Sequence, residues 1–362
     1  MASSAGEYVV SVEHVIDNAA AIELWQHADT ARVFNHPTWW LAAIAAFGEG
    51  RHLRVIRIRQ GDTTVAIWPL WLKRLGPKEL FARVLEPVGA RVTDYCQPLL
   101  RHGHAPAHLT ELLMREVVNC LDAQTILLWP KLPVAAGIER AVTAFAEAQG
   151  LLCVSRGHPC PAMSLPADYA TLEKSWSKSH RGDVRRQLRR LSVAGRLELV
   201  TARERVDIIA LLPRLYAMHT ANWRARSGSA DLESGPMTNF VANLAATLPL
   251  DLIEASEVHL DGAPISCHFG FREPGRLLWY KPTFDVGWAN YAPGKAHIAL
   301  AAQRSIDERM VFFDFLQGTE PYKRLWSDLT TETKSFALAR PMAYPMWAWN
   351  TSVRKFAAEY RI

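Results

Sequence analysis

The chain has 362 residues, of which 49% are hydrophobic and 21% charged, with a formal net charge of +5 and an isoelectric point near 9.0. That length exceeds what one hydrophobic core usually organises, so two domains or two similar halves are expected. The composition excludes extensive disorder, and the longest apolar run, residues 39 to 47, is too short to span a bilayer.

In chain order, a helix is expected near residues 17 to 28. A second follows His36-Pro37, where Thr38 can serve as its cap, and runs to Phe47 before Gly48. Residues 52 to 59 and 63 to 72 alternate around Gly61-Asp62, which is a hairpin pattern. Short strands near 81 to 88 and 94 to 100, a helix at 106 to 121, a strand at 124 to 129 and a helix at 137 to 149 complete a first half that Gly150 closes.

The second half opens with a strand near 151 to 157 and a basic helix over 168 to 194, stopped by Gly195. A strand at 196 to 201 precedes helices near 204 to 225 and 236 to 247. Strands at 251 to 260, 263 to 272 and 276 to 285 are joined by the turns Asp261-Gly262 and Glu273-Pro274-Gly275. Ala292-Pro293-Gly294-Lys295-Ala296 then opens a helix with Ile298, Ala301, Ala302 and Ile306 on one face. A strand at 310 to 315, a helical start near Tyr322, a strand at 331 to 339 and a terminal helix at 345 to 360 end the chain. Helices, a hairpin and strand–helix units recur in both halves, giving an expected division into 1–150 and 151–362.

Five cysteines without C-x-x-C spacing make a disulfide framework or zinc site unexpected and read as reduced thiols in a cytoplasmic protein. Residues 1 to 13 have no charged segment before an apolar one, so no signal peptide is read there. His102, His104 and His108 sit in a Gly/Pro-containing loop with no carboxylate nearby in sequence, and no metal is assigned to them.

The most informative stretch runs from Trp279 to Trp326. A glycine turn feeding a helix presents unpaired N–H groups and the positive end of the helix dipole, a site suited to pyrophosphate. The alternative at Gly294, Lys295 and Ala296 is a plain helix start after Pro293. His268 shares a strand face with Ser266 and Gly270, either as a base near neutral pH or as a hydrogen-bonded core histidine. Asp314 ends an apolar strand, where α/β sheets place ligands; it is either a carboxyl whose pKa burial raises or a cap for the next turn. Between Lys174 and Arg196, eight basic residues face Asp183 alone, and Arg181, Arg185 and Arg189 recur at i, i+4, i+8. Repulsion within such a stripe costs about 0.2–0.5 kcal/mol per pair, which favours an anion-binding face over a merely solvated one.

Tyr291-Ala292-Pro293-Gly294-Lys295-Ala296 resembles the coenzyme A pyrophosphate loop of the GNAT acyltransferase superfamily, R/Q-x-x-G-x-G/A, with Tyr291 in the place of Arg or Gln. Asp314-Phe315, Gly318 and Tyr322-Lys323 resemble the D-F-x-x-G-x-x-x-Y-K signature of one GNAT branch. That branch holds the CelD-like acetyltransferases associated with bacterial cellulose and exopolysaccharide synthesis, which are related to Fem-type peptidyl transferases.

The resemblance implies an α/β (α+β) fold of two tandem GNAT-like units, with mixed sheets flanked by helices and a C-terminal helix. It implies acetyl-CoA or another acyl-CoA as co-substrate, with no metal, and transfer of the acyl group to an amine of a sugar, amino acid or cell-envelope precursor. Phe284, Asp285, Tyr291, Gly294, Lys295 and Ala296 would then hold the donor. Tyr322 would protonate the departing thiolate and Lys323 would support the charged transition state, with His268 and Asp314 as further catalytic candidates. Arg181, Arg185, His219, Trp223, Lys281 and Glu320 would serve the acceptor, which can be anionic; His219 and Trp223 resemble an H-x-x-x-W/R-W pattern of the branch, and Glu320 is a second base candidate. Two alternatives stand beside this reading. One is a Fem-like transferase whose donor rides on tRNA. The other is a non-catalytic module binding a partner in polysaccharide synthesis.

Overall fold

The computed structural model describes residues 7–75, 82–134, 137–227, 232 and 235–341; the expected terminal helix over 345 to 360 lies outside them. The chain forms two compact units. The first runs from Met1 to His158 and resumes at Glu332, and the second runs from Pro159 to Thr331. The sequence division at 150 differs from this in two respects: the boundary falls after His158, and the described residues from Glu332 to Pro341 lie in the first unit.

In the first unit the elements are β1 (Tyr8–Glu13), α1 (Asn18–Gln26), α2 (Pro37–Phe47), β2 (Arg51–Gln60), β3 (Thr63–Arg74), β4 (Arg83–Pro87), β5 (Leu99–Leu100), α3 (Pro106–Cys120), β6 (Thr125–Pro133) and α4 (Ile138–Ala148). β7 (Leu152–Ser164) carries the chain into the second unit. There follow α5 (Tyr169–Ser175), α6 (Lys178–Ala194), β8 (Leu197–Ala202), α7 (Arg205–Ser227), α8 (Gly235–Thr247), β9 (Ile253–Leu260), β10 (Ala263–Glu273) and β11 (Arg276–Phe284). A 3-10 turn (Val286–Tyr291), α9 (Pro293–Asp307), β12 (Phe312–Asp314) and α10 (Pro321–Trp326) complete it, and β13 (Leu329–Ala339) leads back.

Strand pairing repeats. The first unit is ordered β1-β2-β3-β4-β6-β13 and the second β8-β9-β10-β11-β12-β7. In each, three antiparallel pairings are followed by one parallel pairing, β4 with β6 or β11 with β12, and then by an antiparallel strand. Parallel neighbours need a long crossover, which α3 and α9 supply. The mixed sheets and tandem arrangement therefore match the expected fold class. β13, which follows the second unit in sequence, completes the first, and β7, which leads out of the first unit, completes the second.

Two local expectations are corrected, and one strand is added. The single basic helix becomes α5 and α6, because Ser177 is extended and its hydroxyl accepts the His180 N–H, capping a new helix. The strand expected over 94 to 100 shrinks to Leu99–Leu100. β1 (Tyr8–Glu13) is the added strand.

Helices cover both faces of the second sheet. Glu257, Cys267 and Thr283 are cross-strand neighbours, and the first and last bond Arg214 and Asn222 of α7. Ser256 and Ser266 have the opposite parity and bond His297 of α9, so α7 and α9 lie on opposite faces. The core on the α9 face gathers Leu277, Trp279, Ile298, Phe313, Phe315 and Trp326. In the first unit Trp68 and Trp129 centre a comparable core, their rings 4.1 Å apart.

Candidate active site

The second sheet splits between its two parallel strands. β11 pairs with β12 only over Arg276–Phe312, Leu277–Phe313 and Leu278–Asp314. Beyond that point β11 continues along β10 to the Ser266–Phe284 pair. The chain after β12 instead follows β7, with Phe315 N–H donating to the Pro161 carbonyl at 3.0 Å and Gly318 N–H to that of Pro159 at 3.3 Å. One lip of the opening is thus β11 from Trp279 to Phe284, and the other is residues 315 to 318. The equivalent strand of the first unit, β4, ends at Pro87 and leaves no such lip.

A β-bulge marks the β11 lip. Between the Phe269–Lys281 and Phe271–Leu278 pairs, Gly270 alone faces both Trp279 and Tyr280. The extra residue leaves backbone groups outside the ladder, an arrangement common beside active sites. Glycine is required at 270, since a Cβ would collide with the Leu278 carbonyl and lie 2.5 Å from His268 Nε2.

His268 is fully buried, stacked on Trp279 with ring centroids 3.7 Å apart. Neither ring nitrogen meets a partner among the described residues, and burial pushes its pKa well below the usual histidine value. A near-neutral base is therefore not what this environment makes. His297, which sequence reasoning missed, is equally buried but fully satisfied. The Ser266 hydroxyl donates to the Thr283 carbonyl at 2.8 Å, so its oxygen accepts from His297 Nδ1 at 2.8 Å, and the Ser256 hydroxyl meets Nε2 at 3.0 Å. Burial holds this histidine neutral, its pKa lowered to about 3.

The loop opening α9 is braced from both sides. Asp285 accepts the Gly287 N–H at 2.9 Å, and Asn222 of α7 bonds Thr283 Oγ1 at 3.1 Å and the Phe284 carbonyl. Ala292 takes a left-handed conformation (φ 49°), which turns the chain into the helix. At Gly294 a Cβ would meet nothing nearer than Phe284 at 3.7 Å, an ordinary contact. Neither packing nor a positive φ demands glycine there, although glycine inside a helix costs roughly 0.5–1 kcal/mol. What it leaves is room for another molecule at the first turn, so the residues present fit a pyrophosphate. Lys295, expected to contact the donor phosphates, is engaged by Asp183 of α6, which binds its Nζ, and that hydrogen bond lowers the Asp183 pKa.

On the other lip, Asp314 is buried and salt-bridged to Arg276 at 2.8 Å, and it accepts the Leu316 N–H at 2.8 Å. It is a structural carboxylate, and the capping alternative describes it better than the base. Lys323 is buried; its ammonium donates to the Gln317 carbonyl at 2.8 Å and pairs with Glu320 at 3.1 Å. Tyr322 packs edge-on to Phe315, and burial, with Glu320 nearby, pushes its phenol pKa up.

The acceptor candidates are scattered. Arg185 is engaged by Glu173 through two bonds of 3.1 and 2.6 Å, so the expected Arg181–Arg185–Arg189 stripe is partly neutralised. His219 is buried and Trp223 exposed, with rings 5.9 Å apart. Lys281 lies over the Tyr280 ring at 5.0 Å, beside the bulge. His102, expected to lack a carboxylate, meets Asp29 at 2.6 Å.

Comparison with known proteins accords with this geometry. No curated protein matches the chain. FemX has a similar structure, with a TM-score of 0.64 at 9% identity, over 93% of this chain and 99% of FemX. A conserved protein of unknown function from Bacteroides thetaiotaomicron is similar too, with a TM-score of 0.58 at 11% identity, over 92% of this chain and all of that one. At those identities the likeness concerns the fold. The family described as acetyltransferase (GNAT) domain matches residues 178–324. That segment, which holds the two strands flanking the opening, the loop and the Tyr322-Lys323 pair, belongs to the GNAT superfamily.

Proposed function

We propose that this chain is an acyl-CoA-dependent N-acyltransferase acting on an amine of a sugar, amino acid or cell-envelope precursor. The observation that carries the reading is the opening between β11 and β12, faced by the first turn of α9, where a Cβ at Gly294 would meet only Phe284 among the described residues, at an ordinary contact distance of 3.7 Å. When bound there, coenzyme A supplies the thioester whose acyl group is transferred. The N-terminal N–H groups of α9 hold the pyrophosphate. A backbone N–H freed by the β11 bulge donates to the thioester oxygen, and the buried Lys323 ammonium offsets the charge growing in the tetrahedral state. Glu320, with its side chain 54% exposed, accepts the proton of the acceptor's ammonium, in place of His268 and Asp314. Tyr322, kept protonated by its raised pKa, gives a proton to the departing sulfur.

No described helix is long and apolar enough to cross a membrane, and a cytoplasmic location, a role in exopolysaccharide synthesis and a small amine acceptor form part of the proposal. Calorimetric titration of the full chain with acetyl-CoA and longer acyl-CoA thioesters tests it. Binding of at least one is expected, and failure of all to bind overturns the reading in favour of another donor carrier, such as aminoacyl-tRNA.

A further inference from the structure

We propose that Arg190 supplies, from α6, the cation that the donor loop lacks at its first position, and that it binds a phosphate group of the donor. The inference rests on the donor site proposed above. At that first position stands Tyr291, an aromatic ring, where the resembled loop has Arg or Gln. The Arg190 guanidinium lies over this ring, 4.8 Å from its centroid. Its Nη1 donates to the Asn290 carbonyl at 3.0 Å and to Gln187 Oε1 at 3.1 Å. Gln187 is itself buried, so the anchor is a fixed one.

Both bonds use Nη1. Nε and Nη2 of Arg190 have no partner among the described residues, and together they form the two-pronged edge that matches a phosphate. Three neighbouring cations are engaged: Lys295 and Arg186 both bind Asp183, and Arg185 binds Glu173. Asp183, Arg186, Gln187 and Arg190 recur at i, i+3, i+4, i+7, which places them on one helical face. The loop-facing stripe of α6 is therefore not the Arg181–Arg185–Arg189 stripe that the sequence singled out. A guanidinium already held by a ring and two acceptors loses little rotamer freedom on binding, so each new bond counts more fully toward affinity.

The ligand chemistry is a phosphate ester or pyrophosphate, and coenzyme A offers both, as 3′-phosphate and pyrophosphate. The test titrates the full chain and its Arg190→Gln and Arg190→Lys variants with coenzyme A, 3′-dephospho-coenzyme A and pantetheine. Arg190 is exposed, so unaltered melting is expected of the variants. Arg190→Gln should weaken coenzyme A by roughly ten- to a hundredfold, the worth of charge-assisted bonds. Arg190→Lys should recover only part of this, because a point charge lacks the fork, and pantetheine should bind parent and variant alike. Loss of dephospho-coenzyme A binding by the same factor assigns the contact to the pyrophosphate. Loss confined to coenzyme A assigns it to the 3′-phosphate, and both outcomes support the proposal. Equal affinity of parent and Arg190→Gln for coenzyme A overturns it while leaving the donor site standing. Absence of coenzyme A binding by the parent overturns both.

Discussion

Gly318 and Lys323 compete for the same space: a Cβ at position 318 would lie 2.5 Å from the Lys323 ammonium nitrogen and would collide with the Glu320 carboxylate. Gly318 also has φ +147°, which a side chain rarely tolerates. The positive φ accounts for the glycine of the D-F-x-x-G-x-x-x-Y-K signature, and the Glu320–Lys323 pair crowds its site further. Gly318→Ala should dislodge the ammonium from the Gln317 carbonyl and cost about 1–3 kcal/mol of stability through backbone strain. Turnover should fall with it toward the level of Lys323→Met, for which a loss of about a hundred- to a thousandfold is expected if the ammonium stabilises the transition state. Rate assays and urea unfolding measure the two effects. Parental turnover in Gly318→Ala would separate the lysine from the chemistry.

Tyr322→Phe keeps the ring against Phe315 and removes only the hydroxyl. Turnover should drop by about two orders of magnitude, as for loss of one transition-state donor, while donor affinity changes little, because the bond strengthens only as sulfur departs. Since burial raises the phenol pKa, ionisation of Tyr322 should impose no loss of rate up to the ordinary tyrosine value of about 10. An alkaline fall in parental kcat well below that pH, absent in Tyr322→Phe, would show the opposite.

How much of this was legible follows the range of each signal. The hairpins around Gly61-Asp62 and Asp261-Gly262 were readable because turn chemistry and strand alternation are local. The return of β13 to the first unit was not, since strand pairing across such sequence distances leaves no period in the chain. Ser177 was overlooked as a cap because the basic run on either side reads as one amphipathic helix. His297 sits in a helix whose apolar face was recognised, yet its partners Ser256 and Ser266 are 41 and 31 residues away. Asp314 looked like a terminal-strand acid, and its cation, Arg276, is 38 residues distant. The loop and the Tyr322-Lys323 pair stand out in the sequence because each is contiguous.

Gly294→Trp tests the donor side by bulk alone. The position has no positive φ, and a Cβ there meets only Phe284, at 3.7 Å, among the described residues, so the substitution should leave melting within the range of an ordinary surface change, about ±0.5 kcal/mol. If the first turn of α9 receives a pyrophosphate, the indole occupies its place and acyl-CoA binding disappears in calorimetry. A folded variant with undiminished affinity would move the donor elsewhere.

The buried histidines predict how folding responds to acid. In the unfolded chain His268 takes up a proton as pH falls through about 6.5; in the folded chain burial keeps it neutral to far lower pH. Between those values the unfolded state holds the extra proton, so stability declines with falling pH, by up to about 1.4 kcal/mol per unit for each such histidine. Above about pH 6.5 neither state is charged and this dependence vanishes. His297, held neutral down to about 3, adds a second contribution of the same sign. Phenylalanine at 268 can retain the stack on Trp279 while removing two ring nitrogens that have no partner among the described residues. His268→Phe should therefore match or exceed parental stability at neutral pH, and its acid slope should be shallower by up to one proton. His297→Phe should behave differently, since it strands the Ser256 and Ser266 hydroxyls at a cost of about 1–3 kcal/mol even at pH 7.5. Urea unfolding free energies of the three proteins between pH 7.5 and 4 decide the matter. An unchanged slope in His268→Phe would mean that this histidine is charged in the folded chain after all.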